Sequence, residues 1–225
     1  GDLDYIIEIF KTKIKKNLVD GNILNKDSII TLFEELSLNE INNMKTHIEW
    51  KRKRKYNDIT YEDKLNSLPL KDVSTENILY EHPEHYNKLL FNVEDDTMIC
   101  ENYIEMLEWT WEYYSGNITD NTKYYKMNYT PKFSSLKNCA YLFGKNKSRK
   151  YIKINPLTQL VYVLPYIDYN LVPYKHLDDL VKNNEELKEM NFKLEYSFCR
   201  FFWESHVNFN EIDLISINDY INRYN

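Results

Sequence analysis

A chain of 225 residues, 43% hydrophobic and 15% aromatic with 20 Tyr, has the composition of a folded domain, or of a domain with an appended subdomain, and not of a disordered chain. Its formal charge of −6 argues against indiscriminate binding to phosphate backbones and leaves room for a local basic patch. Cys100, Cys139 and Cys199 are widely spaced with no Cys-x-x-Cys, which argues against a disulfide framework or a zinc site and fits a reducing compartment; no apolar run approaches the ~20 residues of a membrane span.

In chain order, Ile6, Ile7, Phe10, Ile14 and Leu18 predict a first helix, stopped by the turn Asp20-Gly21-Asn22. A second helix follows, with Asn25 or Asp27 as cap and Ile29, Ile30, Phe33 and Leu36 as its buried stripe. A third carries Ile41, Met44 and Ile48 and runs into the basic stretch Lys51-Arg52-Lys53-Arg54-Lys55. Residues 57–83, broken by Pro69 and Pro83, predict an irregular linker or surface excursion. The clearest helix lies near 97–115, with Ile99, Tyr103, Met106, Leu107, Thr110, Trp111 and Tyr114 on one side, Asp95 and Asp96 at its N-terminus and Gly116 at the left-handed C′ position. Residues 117–135 predict an ordered, aromatic-rich loop, and Tyr151 to Ile154 a short strand. Pro156 suits the first turn of a helix ending before Pro165, and Leu194, Phe198, Phe201 and Phe202 suggest another buried helical face. The tail, with Ile212, Leu214, Ile215, Ile217 and Ile221, is apolar enough to pack. The expected fold is mainly α, an irregular helical domain with few short strands.

The chemistry-bearing residue types point in few directions. Gly1, Gly21, Gly116 and Gly144 are too scattered for a phosphate-cradling loop. Two-metal hydrolysis needs carboxylates converging on ions ~4 Å apart. The pairs Glu34-Glu35, Asp95-Asp96, Asp178-Asp179 and Glu185-Glu186 do not converge by themselves and suit solvated faces or helix N-termini. His82 and His85, with Glu81 and Glu84 nearby, could face a metal, but Pro83 interrupts them and surface residues leading into a helix are the simpler reading. A Cys199–His206 dyad lacks any orienting group. Lys51 to Lys55 form either a solvated face or a phosphate-contacting stripe, joined by Lys145, Lys147, Arg149 and Lys150. Trp109, Trp111, Tyr113, Tyr114, Tyr124, Tyr125 and Tyr129 are either core and lid or base-stacking platforms. The sequons at Asn117, Asn128 and Asn146 are best read as chance in so Asn-rich a chain.

The order of motifs from Tyr103 to Pro165 resembles the second conserved region of the Xrn-type 5′→3′ exoribonucleases. Tyr103, Ile104, Glu105, Leu107, Trp109, Tyr113, Tyr114 and Gly116 match its aromatic helix; Tyr124, Tyr125, Tyr129 and Pro131 match a Tyr-Tyr-Pro loop. Pro156, Gln159, Leu160, Val163, Leu164 and Pro165 match a Pro-x-x-Gln-Leu-x-x-Val-Leu-Pro block, echoed by Leu171 and Pro173. Asp20 to Leu24, Leu32 to Leu36 and Glu40 resemble the segment that joins the two conserved regions, and Tyr196 to His206 resembles a stretch of viral-looking members. Two departures accompany the resemblance. The Ser-Trp-x-Trp element, one of whose tryptophans the family implicates in stacking on RNA, is replaced by Ile118 to Lys123, and a histidine of the loop is Asn128. The family's metal-binding carboxylates and 5′-phosphate pocket belong to a first region that would precede Gly1.

The resemblance implies residues 1–56 as a helical linking segment, 57–94 as a variable linker or surface excursion, and 95–225 as the second conserved region. It implies a non-catalytic half of a 5′→3′ exoribonuclease that braces the RNA channel, inactive alone, beside a catalytic nuclease half in cis or in trans that uses Mg²⁺. No cofactor is expected in this chain. The alternative is a degenerate module that binds RNA or a protein partner. Single-stranded RNA with a 5′ monophosphate is the implied ligand, contacted by Lys123, Tyr124, Tyr125, Asn128, Tyr129, Lys51, Arg52, Lys53 and Arg54. No membrane association is expected. The location expected is cytoplasmic, or a virus factory or virion if the source is an AT-rich DNA virus.

Overall fold

The computed structural model describes residues 2–21, 23–55, 57–71, 74–117, 120, 122–144, 152–188, 192–209 and 212–224. Helices dominate it, with short two-stranded pairings besides, so the fold is mainly α. Two compact units are distinguished: Gly1–Tyr151 with Ser197–Glu204, and Ile152–Tyr196 with Ser205–Asn225.

The first unit opens with α1 (Asp2–Thr12), which is shorter than its sequence stripe suggests. Its inward residue is Ile9, while Ile7 and Phe10 are exposed; Ile14 is buried beyond the helix end. Leu18 precedes β1 (Val19–Asp20), which pairs antiparallel with β2 (Ile23–Leu24) around Gly21, whose φ of 61° suits a residue without Cβ. Next comes α2 (Lys26–Ser37), capped by Asn25, whose side-chain oxygen accepts from Ser28 N at 3.1 Å. Helix α3 (Glu40–Lys53) follows and buries Ile48 completely.

The stretch with Pro69 and Pro83 holds α4 (Tyr61–Asn66), α5 (Leu68–Lys71), α6 (Ser74–Glu81), a 3-10 turn at Pro83–His85 and α7 (Tyr86–Phe91). It sends Ser67, Glu76 and Leu79 into the interior. Helix α8 (Thr97–Tyr114) is the aromatic helix. Asp95, one residue before the N-cap Asp96, accepts from Thr97 Oγ1 and N, and these bonds hold the Asp95 carboxyl below its usual pKa. At the far end Gly116 takes φ 76°, Gly116 N donates to Tyr113 O and Asn117 N to Glu112 O, the paired bonds of a Schellman motif. The buried face of α8 runs through Ile99, Cys100 and Ile104. Tyr114 and Thr110 are exposed, contrary to the stripe expected from sequence, and the Thr110 hydroxyl turns back onto its own helix at Met106 O.

Where a loop is expected through residue 135, α9 (Phe133–Cys139) begins, followed by a 3-10 turn at Ala140–Leu142. The Glu40 carboxylate accepts from Phe133 N, Ser134 N and Ser134 Oγ, so a charge from the start of α3 satisfies the orphan donors of α9. The core of this unit joins Ile29 and Phe33 with Cys100, Ile104, Leu136, Cys139, Ala140 and Phe143.

In the second unit, residues 152–155 are not a strand; Tyr151 lies outside the described residues. Asn218 takes the place of a strand partner, accepting from Asn155 N at 2.8 Å and donating to Lys153 O. Helix α10 (Pro156–Val163) starts at Pro156 as expected, with Asn155 capping Leu157 N. A 3-10 segment (Tyr166–Leu171), α11 (Leu177–Asn183) and α12 (Leu214–Tyr224) complete a core of Val161, Tyr169, Val172, Leu180, Ile217 and Ile221. The helical face expected at 194–202 is instead β3 (Phe192–Glu195), a turn, a 3-10 helix (Phe202–Glu204) and β4 (His206–Phe209), with β3 antiparallel to β4. Among the described residues no helix is long and apolar enough to cross a membrane.

Candidate nucleic-acid interface

Two places in the first unit collect the residue types that bind nucleic acid. One is the loop after α8. Its Asp120 is buried and accepts from Thr122 N and Oγ1, while its carbonyl accepts from Trp109 Nε1 at 2.8 Å and from Lys123 N at 3.2 Å. The loop is thus nailed to α8. Lys123 pairs with Glu105 at 3.0 Å, and Lys126 N donates to Asn102 Oδ1. Tyr125 packs edge-on against Tyr103, and its hydroxyl donates to Tyr129 O at 2.6 Å. Burial, then the neighbouring Tyr103 and Tyr86, push the Tyr125 phenol far above its ordinary pKa. Tyr129 is buried and Asn128 half-buried. Of the aromatic residues expected to meet RNA here, Tyr124 alone is open, at 57% exposure. Trp109 stacks on Tyr113 with centroids 5.4 Å apart and planes 9° apart, which spends one ring face inside the protein.

The other place is the C-terminal end of α3. The basic run is not one surface. Lys51 is fully buried: its Nζ donates to Glu76 Oε1 at 2.6 Å and to Cys199 O at 3.1 Å. Glu76 is buried too, and its Oε1 also accepts from Phe198 N. Lys51 therefore departs from both sequence readings, solvated face and phosphate stripe, because a carboxylate from α6 and a turn carbonyl draw its ammonium inward. Arg52 forks onto Asn77 Oδ1 and lies 4.4 Å from the Tyr80 ring centroid. Lys53 and Lys55 are exposed, and Lys53 sits a loose 4.0 Å from Glu49. Arg54 lies over the rings of Trp50, at 5.2 Å, and Phe201, at 5.7 Å. Lys145, Lys147, Arg149 and Lys150 lie outside the described residues.

The turn that Lys51 and Glu76 hold brings a second set of side chains to the same place. Phe198 takes φ 63°, uncommon for a bulky residue, and the buried pair fixes it there. Glu204 Oε2 accepts from the backbone N–H groups of Arg200 and Phe201, closing the turn. Arg200 then lies over Trp50 at 5.3 Å, and Trp203 stacks on Phe201, centroids 5.5 Å apart and planes 12° apart. The sequence offered Arg54 as a nucleic-acid contact and Phe201 as part of a buried helical face, and assigned no contact to Trp50, Arg200 or Trp203. The available signal was Trp50 directly before the basic run and the Arg-Phe-Phe-Trp of 200–203.

The other candidates are used structurally. His82 and His85 stack on each other, with Glu84 3.2 Å from His82. Cys199 Sγ donates to Glu204 O, and burial raises its pKa, the reverse of an activated nucleophile. The carboxylates are dispersed: Asp95 accepts from Thr97 N at the start of α8, Asp96 accepts from Asn87, Glu35 meets Lys13, Glu76 holds Lys51 and Glu40 accepts from the first donors of α9. Among the described residues no three His, Cys, Asp or Glu side chains group to hold a metal ion.

No family model matches the chain. The chain is 27% identical over 180 residues to 5′-3′ exoribonuclease 1 of Saccharomyces cerevisiae, a match that covers 76% of this chain and 11% of that enzyme's length. This similarity supports a distant Xrn-like relationship, carried by a chain that spans about a tenth of the relative it matches.

Proposed function

We propose that this chain is the non-catalytic helical part of an Xrn-like 5′→3′ exoribonuclease, and that it holds single-stranded RNA with a 5′ monophosphate beside a Mg²⁺-dependent nuclease half supplied in cis or in trans. The observation that carries this reading is the similarity to the yeast exoribonuclease over 180 residues. Supporting it, residues of the resemblance form the aromatic helix, its Schellman stop and the Tyr125–Tyr129 hydrogen bond. The residues of this chain position and brace; they move no proton and attack no phosphate.

The second reading is a degenerate module that binds RNA or a protein partner without serving a nuclease. The dispersal of its carboxylates into caps and ion pairs favours it. Incubating the chain with 5′-monophosphorylated single-stranded RNA and Mg²⁺ tests both. The expected outcome is RNA retained on a filter with no mononucleotide released. Release of mononucleotides overturns the non-catalytic assignment, and absence of retention at low salt overturns the RNA role and leaves the protein-partner reading.

A further inference from the structure

The geometry points to a base-stacking and phosphate-binding platform built from Trp50, Arg54, Arg200, Phe201 and Trp203, with single-stranded nucleic acid as its ligand. The choice of RNA as probe rests on the function proposed above; the location does not. Four contacts make the platform continuous: Trp203 stacks on Phe201, Arg54 lies over Phe201 and over Trp50, and Arg200 lies over Trp50. Trp203 is 71% exposed although one face rests on Phe201, so its other face is open. Trp50 is 42% exposed at the opposite end of the row.

Charge completes the argument. A guanidinium lying on an aromatic face keeps its N–H fork free for an oxyanion, and Arg is suited to both tasks at once. Among the described residues neither Arg54 nor Arg200 is ion-paired with a carboxylate. The carboxylates close in sequence are engaged elsewhere: Glu204 accepts backbone N–H groups, and Glu49 accepts the Tyr80 hydroxyl at 2.6 Å. Exposed Lys53 and Lys55 flank the site. An open indole beside two guanidinium groups that meet no carboxylate among the described residues, in a chain of net charge −6, matches the way single strands are held without sequence preference, by stacking on aromatics and tracking of the backbone. A duplex hides its base faces and is the poorer ligand. The platform is also set rigidly, because the buried Lys51–Glu76 pair fixes the turn that delivers Arg200 to Trp203.

Fluorescence anisotropy of a labelled oligouridylate against the full 225-residue chain tests this. The wild type should bind, and more weakly as salt rises. Trp203→Ala should weaken binding about 5- to 100-fold with an unchanged melting temperature, and Trp203→Phe should restore most of it. Arg54→Ala with Arg200→Ala should lower the slope of log affinity against log salt by roughly one to two. An abasic strand of equal length should resemble the Trp203→Ala result. If the wild type binds and these variants bind equally well, the platform is wrong while the proposed function stands, and a loss in Tyr124→Ala would place the site in the loop instead. If abasic and base-bearing strands bind alike, contact is through phosphate only and the stacking claim falls. If the wild type binds no RNA at low salt, the platform and the RNA role proposed above fall together, and the protein-partner reading is left.

Discussion

The loop after α8 and the end of α3 carry similar aromatic and basic residues and use them in opposite ways. In the loop, Tyr125 and Tyr129 face inward, Lys123 is paired with Glu105, and the backbone is bolted to α8 through Asp120. At the end of α3, Lys51 alone turns inward, and the aromatic and guanidinium groups around it stay on the surface. Residue type therefore does not make a stacking surface; exposure and the pairing of neighbouring charges do. A tyrosine whose hydroxyl serves a carbonyl is part of the scaffold, whereas a tryptophan with one face on phenylalanine and the other in water is available.

The sharpest way to break the contrast is to remove the pair beneath the platform. Glu76→Ala strands a buried ammonium and should cost about 3–5 kcal/mol in thermal or urea unfolding, with a smaller loss for Lys51→Met with Glu76→Leu. Glu40→Ala acts on the loop side: α9 loses the carboxylate that serves Phe133 and Ser134, and the expected loss is about 1–3 kcal/mol, read by the same melts. Gly116→Ala should cost about 1 kcal/mol, since the added Cβ meets nothing within 4 Å and strain at φ 76° is the whole effect. Tyr125→Phe removes one hydrogen bond and should cost about 0.5–1.5 kcal/mol while leaving RNA affinity unchanged. A comparable drop in affinity would return the loop to the interface.

Alkaline pH sharpens the comparison at smaller scale. Burial pushes the Tyr86 phenol, which donates to Thr130 O, up to about 12 from an ordinary 10. Below pH 10 the folded and unfolded states both hold that proton. Between about 10 and 12 only the folded state does, so its contribution to stability is lost as pH rises through that window. Melting temperature should fall across it, and less steeply in Tyr86→Phe.

Much of this fold was legible locally. The Asn25 cap of α2, the Gly116 stop of α8 and Pro156 at the start of α10 are short-range signals, and each is where the sequence puts it. What escaped depends on distant partners. Helix α9 is short, and its N-terminal donors are met by Glu40, which lies 93 positions before Phe133. Leu194, Phe198, Phe201 and Phe202 imitate helical spacing, but the pairing of β3 with β4 overrides it. Lys51 resembles its basic neighbours until Glu76 and the Cys199 carbonyl are brought to it. Phe201, on which Trp203 stacks, meets Arg54, and Arg200 meets Trp50, only through that same turn, which is why the platform could not be assembled from spacing.

The most direct test is photo-crosslinking of the chain to a 4-thiouridine-substituted single strand, followed by mapping of the modified peptides. The account predicts adducts within residues 50–55 and 198–204, lost on Trp203→Ala. Adducts confined to residues 122–130 would contradict it.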